Sequence, residues 1–306
     1  MRAVVFAYHD VGAQCLRVLA RQGVDIPLIV THADDPAESH WFERVADVAD
    51  ELHLAWQAPA DPNTPAFVAQ LAALAPDFIF SFYYRRMLSP ALLACARRGA
   101  LNLHGSLLPK YRGRAPVNWA VLHGERETGV TLHYMADKPD AGDIVAQRTV
   151  AIGSDDNARE VFDRLAQAAA ALLEDVLPLL AAGTAPRLHN DIAAGSYFGG
   201  RAPEDGRIDW GASAKSIHDL VRAVAPPYPG AFCDVGGARI TLARMRLVDE
   251  CPHGAPVQQG LFAAGDALFA RAGDGRCLAV LAAQCDGRVL TAAALRALQQ
   301  GNACRG

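Results

Sequence analysis

Short apolar runs alternate with helical patterns through the first half of the chain. Four such runs lie at residues 2–8, 26–32, 76–82 and 100–105. The segments between them place apolar residues at helical spacing, as in CLRVLARQG, FVAQLAALA and SPALLACARRG. Short apolar strands separated by helices are typical of a sheet that is covered on both faces. The pattern therefore predicts an α/β fold with a Rossmann-like parallel sheet.

The pattern continues with longer elements after the fourth run. Residues 129–150 predict two strands around a Pro-Asp-Ala-Gly turn, and residues 157–183 predict a long helix. Either Asn157 or Asp156 can cap the start of that helix, and Gly183 lies near its end. These elements complete the first predicted domain.

The second part of the chain has a different character. Residues 184–209 lose periodicity and collect proline, glycine and charge, as a linker does. Beyond them SAKSIHDLVRAV predicts a helix, and short strands with glycine-containing turns follow. We therefore predict an N-terminal α/β domain over 1–189, a linker over 190–204 and a smaller C-terminal β-rich, OB-like domain over 205–306.

Composition narrows the range of partners. The chain has 306 residues and a formal net charge of −4, so it has no overall positive field and nucleic acid is not expected as a partner. Apolar runs fall short of the roughly 18 residues that a membrane span needs. The start MRAVVFAYHD lacks the apolar core of a signal peptide, which favours a cytoplasmic location. The seven cysteines are odd in number and form no C-x-x-C pair. Reduced thiols are therefore expected, rather than disulfides or a metal site.

Each predicted strand of the first domain ends in polar residues. Because the carboxyl ends of parallel strands meet at one edge of a sheet, we expect these groups to converge there on a ligand crevice. No G-x-G-x-x-G follows the first strand, so a dinucleotide site is not predicted. The converging groups are Tyr8 to Asp10, Thr31 and His32, Ser81 to Arg86, and Asn102 to His104.

Asn102 and His104 are the strongest candidates for chemistry. On an extended strand their side chains share one face, so both can address one carbonyl group. Acyl transfer to an amine needs a donor for a developing oxyanion and a route for the amine proton, which an amide and an imidazole supply. Asp140, in the tight KPDAGD loop, is a candidate to lie beside His104 and raise the pKa of its imidazole. The alternative is that Asn102 and His104 only satisfy turn backbone and that Asp140 is a solvated acid.

These residues belong to a longer pattern. The stretch NLHGSLLPKYRGRAP is followed by GERETGVTLHYM and then by a D-A-G-D loop, and this order resembles the folate-dependent formyltransferases. The likeness extends from VVFAYHDVG through FSFYYR to VRAVAPPYPGAF, and so covers essentially the whole chain. Within that family it is strongest for the branch that formylates UDP-4-amino-4-deoxy-L-arabinose, a step of lipid A modification in polymyxin resistance.

The resemblance implies roles for these positions. Asn102 would stabilise the transition state, His104 would be the general acid, and Asp140 would raise the pKa of His104. The formyl donor would be 10-formyltetrahydrofolate, and no metal is implied. The resemblance places the folate against Arg86, Met87, Leu88, Arg114 and the loop Ala136, Asp137, Lys138, Pro139 and Asp140. An apolar slot for the flat pterin ring could also come from Leu107, Leu108 and Met87, although ordinary core positions fit them equally well.

The acceptor would be a nucleotide sugar. Lys110, Arg112 and Arg114 suit an anionic ligand, either the folate glutamate or a diphosphate, and Tyr111 between them permits stacking. A solvated basic face is the alternative. Weaker substrate-binding candidates are Tyr8, His9 and Arg201. The related enzyme carries arginine where this chain has Gly200, which leaves the part of the linker in substrate binding open.

Two other functions fit the same motifs less well. A methionyl-tRNA formyltransferase would need a basic surface that the net charge of −4 does not favour. A sensor without catalytic activity would not need an oxyanion donor. Another amino-sugar nucleotide as acceptor stays open, as does the oligomeric state. The chain is expected to be either a free-standing formyltransferase or half of a bifunctional enzyme.

Overall fold

The computed structural model describes residues 1–34 and 41–301, so Cys304 lies outside the described residues. Its backbone contacts divide it into two compact units. The first comprises Met1–Pro116, Glu127–Ala151 and Phe162–Gly199, and the second comprises Val117–Arg126, Ile152–Val161 and the chain from Gly200 onward. The chain therefore crosses between the units several times, and each unit is described by itself below.

A seven-stranded sheet forms the centre of the first unit, in the order β3-β2-β1-β4-β5-β7-β8. The first five strands in this order run parallel, while β7 and β8 are antiparallel to their neighbours. Strands of this unit are β1 (Arg2–Ala7), β2 (Asp25–Val30), β3 (Trp56–Gln57), β4 (Phe78–Phe82), β5 (Gly99–His104), β6 (Arg112–Gly113), β7 (Glu127–Tyr134), β8 (Ile144–Ala151) and β9 (Tyr197–Phe198).

The predicted α/β fold is confirmed, but the sheet is mixed rather than wholly parallel. The strands predicted within residues 129–150 are joined by a short loop, and a short connection can only join antiparallel neighbours. The four predicted parallel strands β1, β2, β4 and β5 are present, and most of their apolar side chains are buried, whereas the two-residue strand β3 was not predicted and is exposed. In β4 the side chains of Phe78, Phe80 and Phe82 are all buried.

The described residues contain α-helices in both units. The helices are α1 (His9–Arg21), α2 (Val45–Glu51), α3 (Pro65–Ala73), α4 (Pro90–Leu93), α5 (Pro116–Leu122), α6 (Ala158–Ala182), α7 (Ala214–Val224) and α8 (Ala292–Gln299). The predicted helix in SPALLACARRG stops early, at Leu93. Beyond it the N–H groups of Arg97 and Arg98 donate to the carbonyls of Pro76 and Asp77, which turns the chain into β5.

The long predicted helix is α6, and Asn157 caps it. The Asn157 side chain accepts from the N–H of Glu160 at 2.9 Å, and the Glu160 carboxylate accepts from the N–H of Asn157 at 2.8 Å. This reciprocal pair is a capping box. By length and apolar composition α6 could also cross a membrane, contrary to the expectation that apolar segments here are too short. Its apolar stripe, including Leu165 and Leu173, is buried within the protein, as in the core helix of a folded domain.

The second unit contains a six-stranded antiparallel sheet in the order β10-β11-β14-β13-β12, with β15 paired to β14. Its strands are β10 (Ala231–Val235), β11 (Ala238–Leu247), β12 (Gly260–Ala264), β13 (Ala267–Arg271), β14 (Cys277–Cys285) and β15 (Arg288–Val289). The predicted smaller β-rich domain is confirmed.

Cysteine pairing differs from the expectation of reduced thiols. Cys251 and Cys277 form a disulfide, with their Cα atoms 5.2 Å apart. Cys15, Cys95, Cys233 and Cys285 form no disulfide. The pair was not predictable from spacing because the two residues are 26 positions apart and meet only through the fold, where β14 begins beside the loop that follows β11.

Candidate active site

The carboxyl edge of the first sheet brings Asn102 and His104 to one place. Both lie on β5, with Leu103 between them, so their side chains share a face of the sheet. Ser81 on β4 pairs with Asn102, and His133 on β7 pairs with it from the other side. The two candidates therefore lie between buried strands that fix their backbone.

Asp140 lies beside both residues. Its Oδ1 is 3.5 Å from Nδ1 of His104 and accepts from Nδ2 of Asn102 at 3.4 Å. The structure thus brings together an amide, an imidazole and a carboxylate that are up to 38 positions apart in the chain. Asp140 has a φ of 51°, a left-handed conformation that a side chain other than glycine adopts only when its surroundings hold it.

The two ring nitrogens of His104 face different partners. Nε2 lies 2.8 Å from the carbonyl oxygen of Tyr111. Because a carbonyl only accepts, Nε2 carries the proton, and Nδ1 is the atom that faces Asp140. The side chain is buried, and burial lowers the pKa of His104 below its usual value. The charge of Asp140 and the bond to Tyr111 oppose this only in part.

The predicted effect of Asp140 on the pKa of His104 did not include the burial of the imidazole. Asp140 acts in the expected direction, but the cost of burying an imidazolium is larger. At neutral pH the ring is neutral, donates through Nε2 and can take up a proton at Nδ1.

Asp140 is ionised. Burial by itself raises the pKa of Asp140. The positive charge that His104 carries at acid pH, a hydrogen bond with His133 and the N–H of Gly113 outweigh it, and the pKa falls to about 2. Gly113 donates its N–H to Oδ2 of Asp140 at 2.9 Å. The carboxylate is thus held from two sides, by a backbone amide on Oδ2 and by side chains on Oδ1.

His133 is a site residue that sequence reasoning missed. Its Nδ1 donates to the carbonyl of Tyr134 at 2.8 Å, and its Nε2 lies 3.6 Å from Oδ1 of Asp140. Nδ2 of Asn102 lies 3.2 Å from that Nε2. The Asn102 amide therefore already points its NH2 group at His133 and Asp140. The sequence does predict a strand at GVTLHYM. Placing His133 beside Asn102 also requires the register of that strand against β5, which the sequence does not give.

Two further polar side chains hold the loop that follows β5. Oγ1 of Thr131 donates to the carbonyl of Ser106 at 2.6 Å and accepts from the N–H of Leu108 at 3.1 Å. Gln147 donates to the carbonyl of Leu108 at 2.8 Å. Leu108 is buried here, while Leu107 lies against Gly129.

The positions predicted to contact folate fall into two groups. Leu88 is buried in an apolar cluster with Leu92, and Met135 packs against that cluster. The amide of Asn63 bridges the carbonyl of Met87 and the N–H of Ser89. Most of the other positions are exposed, and their part in folate binding stays a prediction. The exposed positions are Arg86, Met87, Arg114, Ala136, Asp137, Lys138 and Pro139.

The predicted substrate-binding aromatic residues are used partly in packing. Tyr8 is buried and donates its hydroxyl to Asp34. His9, at the start of α1, stacks on Phe42 with ring centroids 4.1 Å apart. Tyr111 is buried and stacks on Phe198.

The predicted cationic residues make fewer packing contacts than these aromatic residues. Lys110 is exposed. The guanidinium of Arg112 lies over the ring of Tyr197, and its buried Nε has no hydrogen-bond partner among the described residues. Arg201 belongs to the second unit, where it lies over the ring of Trp119 and donates to the carbonyl of Asp205. Burial lowers the pKa of Arg201. Substrate binding by these residues stays a prediction.

No group of three or more histidine, cysteine, aspartate or glutamate side chains suited to a metal ion occurs in residues 1–34 and 41–301.

Solved structures with this fold include sugar N-formyltransferases. An N-formyltransferase from Helicobacter canadensis, in complex with folinic acid and dTDP-3-aminofucose, matches 91% of this chain over 98% of its own, at 17% identity and a TM-score of 0.72. The sugar 3N-formyltransferase WlaRD matches 94% of this chain over 98% of its own, at 16% identity and a TM-score of 0.73.

HypX from Aquifex aeolicus, in complex with tetrahydrofolic acid, matches 99% of this chain at 18% identity and a TM-score of 0.65, and this chain spans 48% of its length. At these identities the likeness establishes the shared fold.

Family models establish more. The formyl transferase model matches residues 1–177, which contain Asn102, His104 and Asp140, and the formyl transferase C-terminal domain model matches residues 201–296. With both models matching in order along one chain, and the first covering more than half of it, the protein belongs to the formyl transferase family and is a formyl-transferring enzyme.

Proposed function

We propose that the protein transfers the formyl group of 10-formyltetrahydrofolate to the 4-amine of UDP-4-amino-4-deoxy-L-arabinose. The observation that carries the proposal is the cluster of Asn102, His104 and Asp140 at the carboxyl edge of the sheet, where the sequence resemblance assigns formyl transfer. The folate and amino-sugar nucleotide in the Helicobacter canadensis structure support this class of donor and acceptor.

The geometry suits movement of a proton between two nitrogen atoms. The acceptor amine attacks the formyl carbon with its lone pair, the carbonyl oxygen becomes an oxyanion, and the bond from carbon to N10 of the folate then breaks. The amine must lose one proton and N10 must gain one. His104 is neutral, so it can take the first proton and return it to N10, while Asp140 stabilises the imidazolium in between.

Asn102 is the proposed donor to the oxyanion. Its NH2 group now faces His133 and Asp140, so donation requires the amide to share or redirect one N–H. Hydrogen-bond donors of this kind are worth about 3–4 kcal/mol of transition-state stabilisation in enzymes of acyl transfer.

Arg112 is the proposed contact for the anionic part of the acceptor. Its guanidinium is half-buried, and its Nε has no hydrogen-bond partner in the part of the chain that the structure describes. A phosphate oxygen would satisfy that N–H with a charge-assisted bond. A cytoplasmic location and a role in lipid A modification belong to the same proposal and are supported by the sequence resemblance.

A formylation assay with 10-formyltetrahydrofolate tests the proposal. The acceptors are UDP-4-amino-4-deoxy-L-arabinose, dTDP-linked amino sugars and charged initiator tRNA, with product masses measured. We expect a mass gain of one carbonyl on the UDP sugar. Formylation of a dTDP sugar alone would change the proposed acceptor but leave the protein an amino-sugar nucleotide formyltransferase. Formylation of tRNA alone would overturn the proposal.

A further inference from the structure

Residues 190–198 lie against the loop that carries the site. Strand β9 in this segment pairs with β6 in parallel, so that Arg112 is opposite Tyr197 and Gly113 is opposite Phe198. The segment belongs to the first unit, although its sequence has the character of a linker. Two of its polar side chains, Asn190 and Ser196, hydrogen-bond to the backbone next to His104 and Asp140.

Ser196 supports the partner of His104. Its Oγ accepts from the N–H of Tyr111 at 2.9 Å, and its carbonyl accepts from the N–H of Arg112 at 3.0 Å. The carbonyl of Tyr111 is the group that faces Nε2 of His104. Tyr111 has a φ of 55°, so its peptide orientation depends on contacts of this kind.

Asn190 supports the backbone of Asp140. Its Nδ2 donates to the carbonyl of Asp140 at 3.0 Å and to the carbonyl of Gly142 at 3.2 Å. The side chain is 3% exposed, so these two bonds form away from water. They close the KPDAGD loop at the residue whose φ is 51° and whose carboxylate faces His104.

We propose that Ser196 and Asn190 are positioning residues for formyl transfer, which set the orientation of His104 and Asp140 through the backbone of Tyr111 and of the 140–142 loop. This inference rests on the proposed function. Each residue acts on one member of the pair from outside, and neither touches the reacting atoms.

The kinetic test compares variants that differ by one hydroxyl or one amide. Ser196→Ala and Asn190→Ala should each lower kcat about 10- to 100-fold with KM for donor and acceptor nearly unchanged, because a displaced catalytic group costs rate more than binding. Ser196→Thr keeps the hydroxyl and should retain more activity than Ser196→Val, which has the same shape without it. If Ser196→Ala does not fold, the comparison of Ser196→Thr with Ser196→Val tests the role of the hydroxyl.

Thr64→Ala is the matched control. Thr64 also accepts a backbone N–H, from Phe67 at the start of α3, and it belongs neither to the loop that follows β5 nor to the KPDAGD loop. Its loss should lower stability while leaving kcat unchanged. An equal loss of kcat in Thr64→Ala, or equal rates for Ser196→Thr and Ser196→Val, would overturn the proposal.

A second measurement does not need a substrate. The titration of His104 can be followed by NMR, with the His104→Asn variant assigning its signal. The Tyr111 bond and the Asp140 charge both favour the imidazolium, so loosening either should lower the pKa of His104 further in both variants. An unchanged titration in both would reject the positioning roles. If the titration shifts while the wild type formylates no amino sugar, the proposed function has failed and the positioning roles stand.

Discussion

His104 is held between a carbonyl and a carboxylate, and this determines which proton it can move. Nε2 donates to Tyr111, so a second proton can enter only at Nδ1, 3.5 Å from Asp140. Burial opposes that second proton and Asp140 favours it, with burial the larger effect. The ring is therefore a proton acceptor at neutral pH.

Replacement of His104 by Asn should abolish this proton transfer. We expect kcat to fall roughly 100-fold or more, because general acid–base catalysis contributes about that much. His53→Asn is the matched control, since His53 is exposed and has a φ of 56° that asparagine accepts readily. Steady-state assays of both variants check this. Comparable activity in His104→Asn and His53→Asn would show that the imidazole does not take part.

Replacement of Asp140 by Asn should change the pH dependence in a defined direction. The charge of Asp140 raises the pKa of His104, so its removal lowers that pKa further. If neutral His104 is the active form, the acid limb of kcat moves to lower pH in Asp140→Asn, while the rate on the plateau falls because the imidazolium loses its counter-charge. A profile of kcat from pH 5 to 9 measures both effects. Movement of the limb to higher pH would contradict the assigned direction.

The sequence was enough to predict Asn102, His104 and Asp140 as members of the candidate site, but not the net direction in which the pKa of His104 shifts. The strand ends predict that Asn102 and His104 lie at one edge, because that follows from the direction of parallel strands. The net effect on the His104 pKa could not be predicted, since it depends on burial, which sequence does not give. His133 was missed because its contact with Asn102 needs the register of two antiparallel strands.

Long elements were more predictable than short ones. Helix α6 has a capping residue and a sustained apolar stripe, and its predicted bounds of 157–183 match Ala158–Ala182 closely. Strands β6 and β9 have two residues each, which is too short for any periodicity. Yet the pairing of β6 with β9 brings Gly113 to Asp140 and Ser196 to Tyr111. Part of the candidate site therefore depends on strands that the sequence pattern does not predict.

The β6 and β9 pair can be tested through Gly113. A Cβ at this position would overlap the carbonyl oxygen of Phe198, and the φ of 98° is unfavourable for any other residue. Gly113→Ala should therefore separate the two strands, displace the N–H that holds Asp140, and lower kcat. The expected loss is about 10-fold or more, as for other displacements of a catalytic group.

Gly199→Ala is the control for that substitution. A Cβ at Gly199 meets no atom within 4 Å, and its φ lies outside the left-handed region, so alanine should be tolerated. Thermal unfolding distinguishes a local change from loss of the fold. Full activity in Gly113→Ala would show that the Gly113 N–H is dispensable for the carboxylate at 140.

At the scale of the whole molecule, the two units are built around different sheets, and each unit has buried apolar residues. The first has a broad sheet with helices on its faces and a large apolar core. The second has an antiparallel sheet with short helices and a disulfide between Cys251 and Cys277. Composition favoured reduced thiols, and it could not show the pair because only the folded sheet brings the two residues together.

The disulfide should contribute measurably to the stability of the second unit. A cross-link between residues 26 positions apart restricts the unfolded chain, which in the chain-entropy model is worth about 3.5 kcal/mol. We expect Cys251→Ser, or reduction of the wild type, to lower the free energy of unfolding by up to that amount in urea. Cys95→Ser is the control, because Cys95 is free and the variant should still respond to reductant as the wild type does. If Cys251→Ser unfolds at the wild-type urea concentration under oxidising conditions, the cross-link does not stabilise the protein in solution.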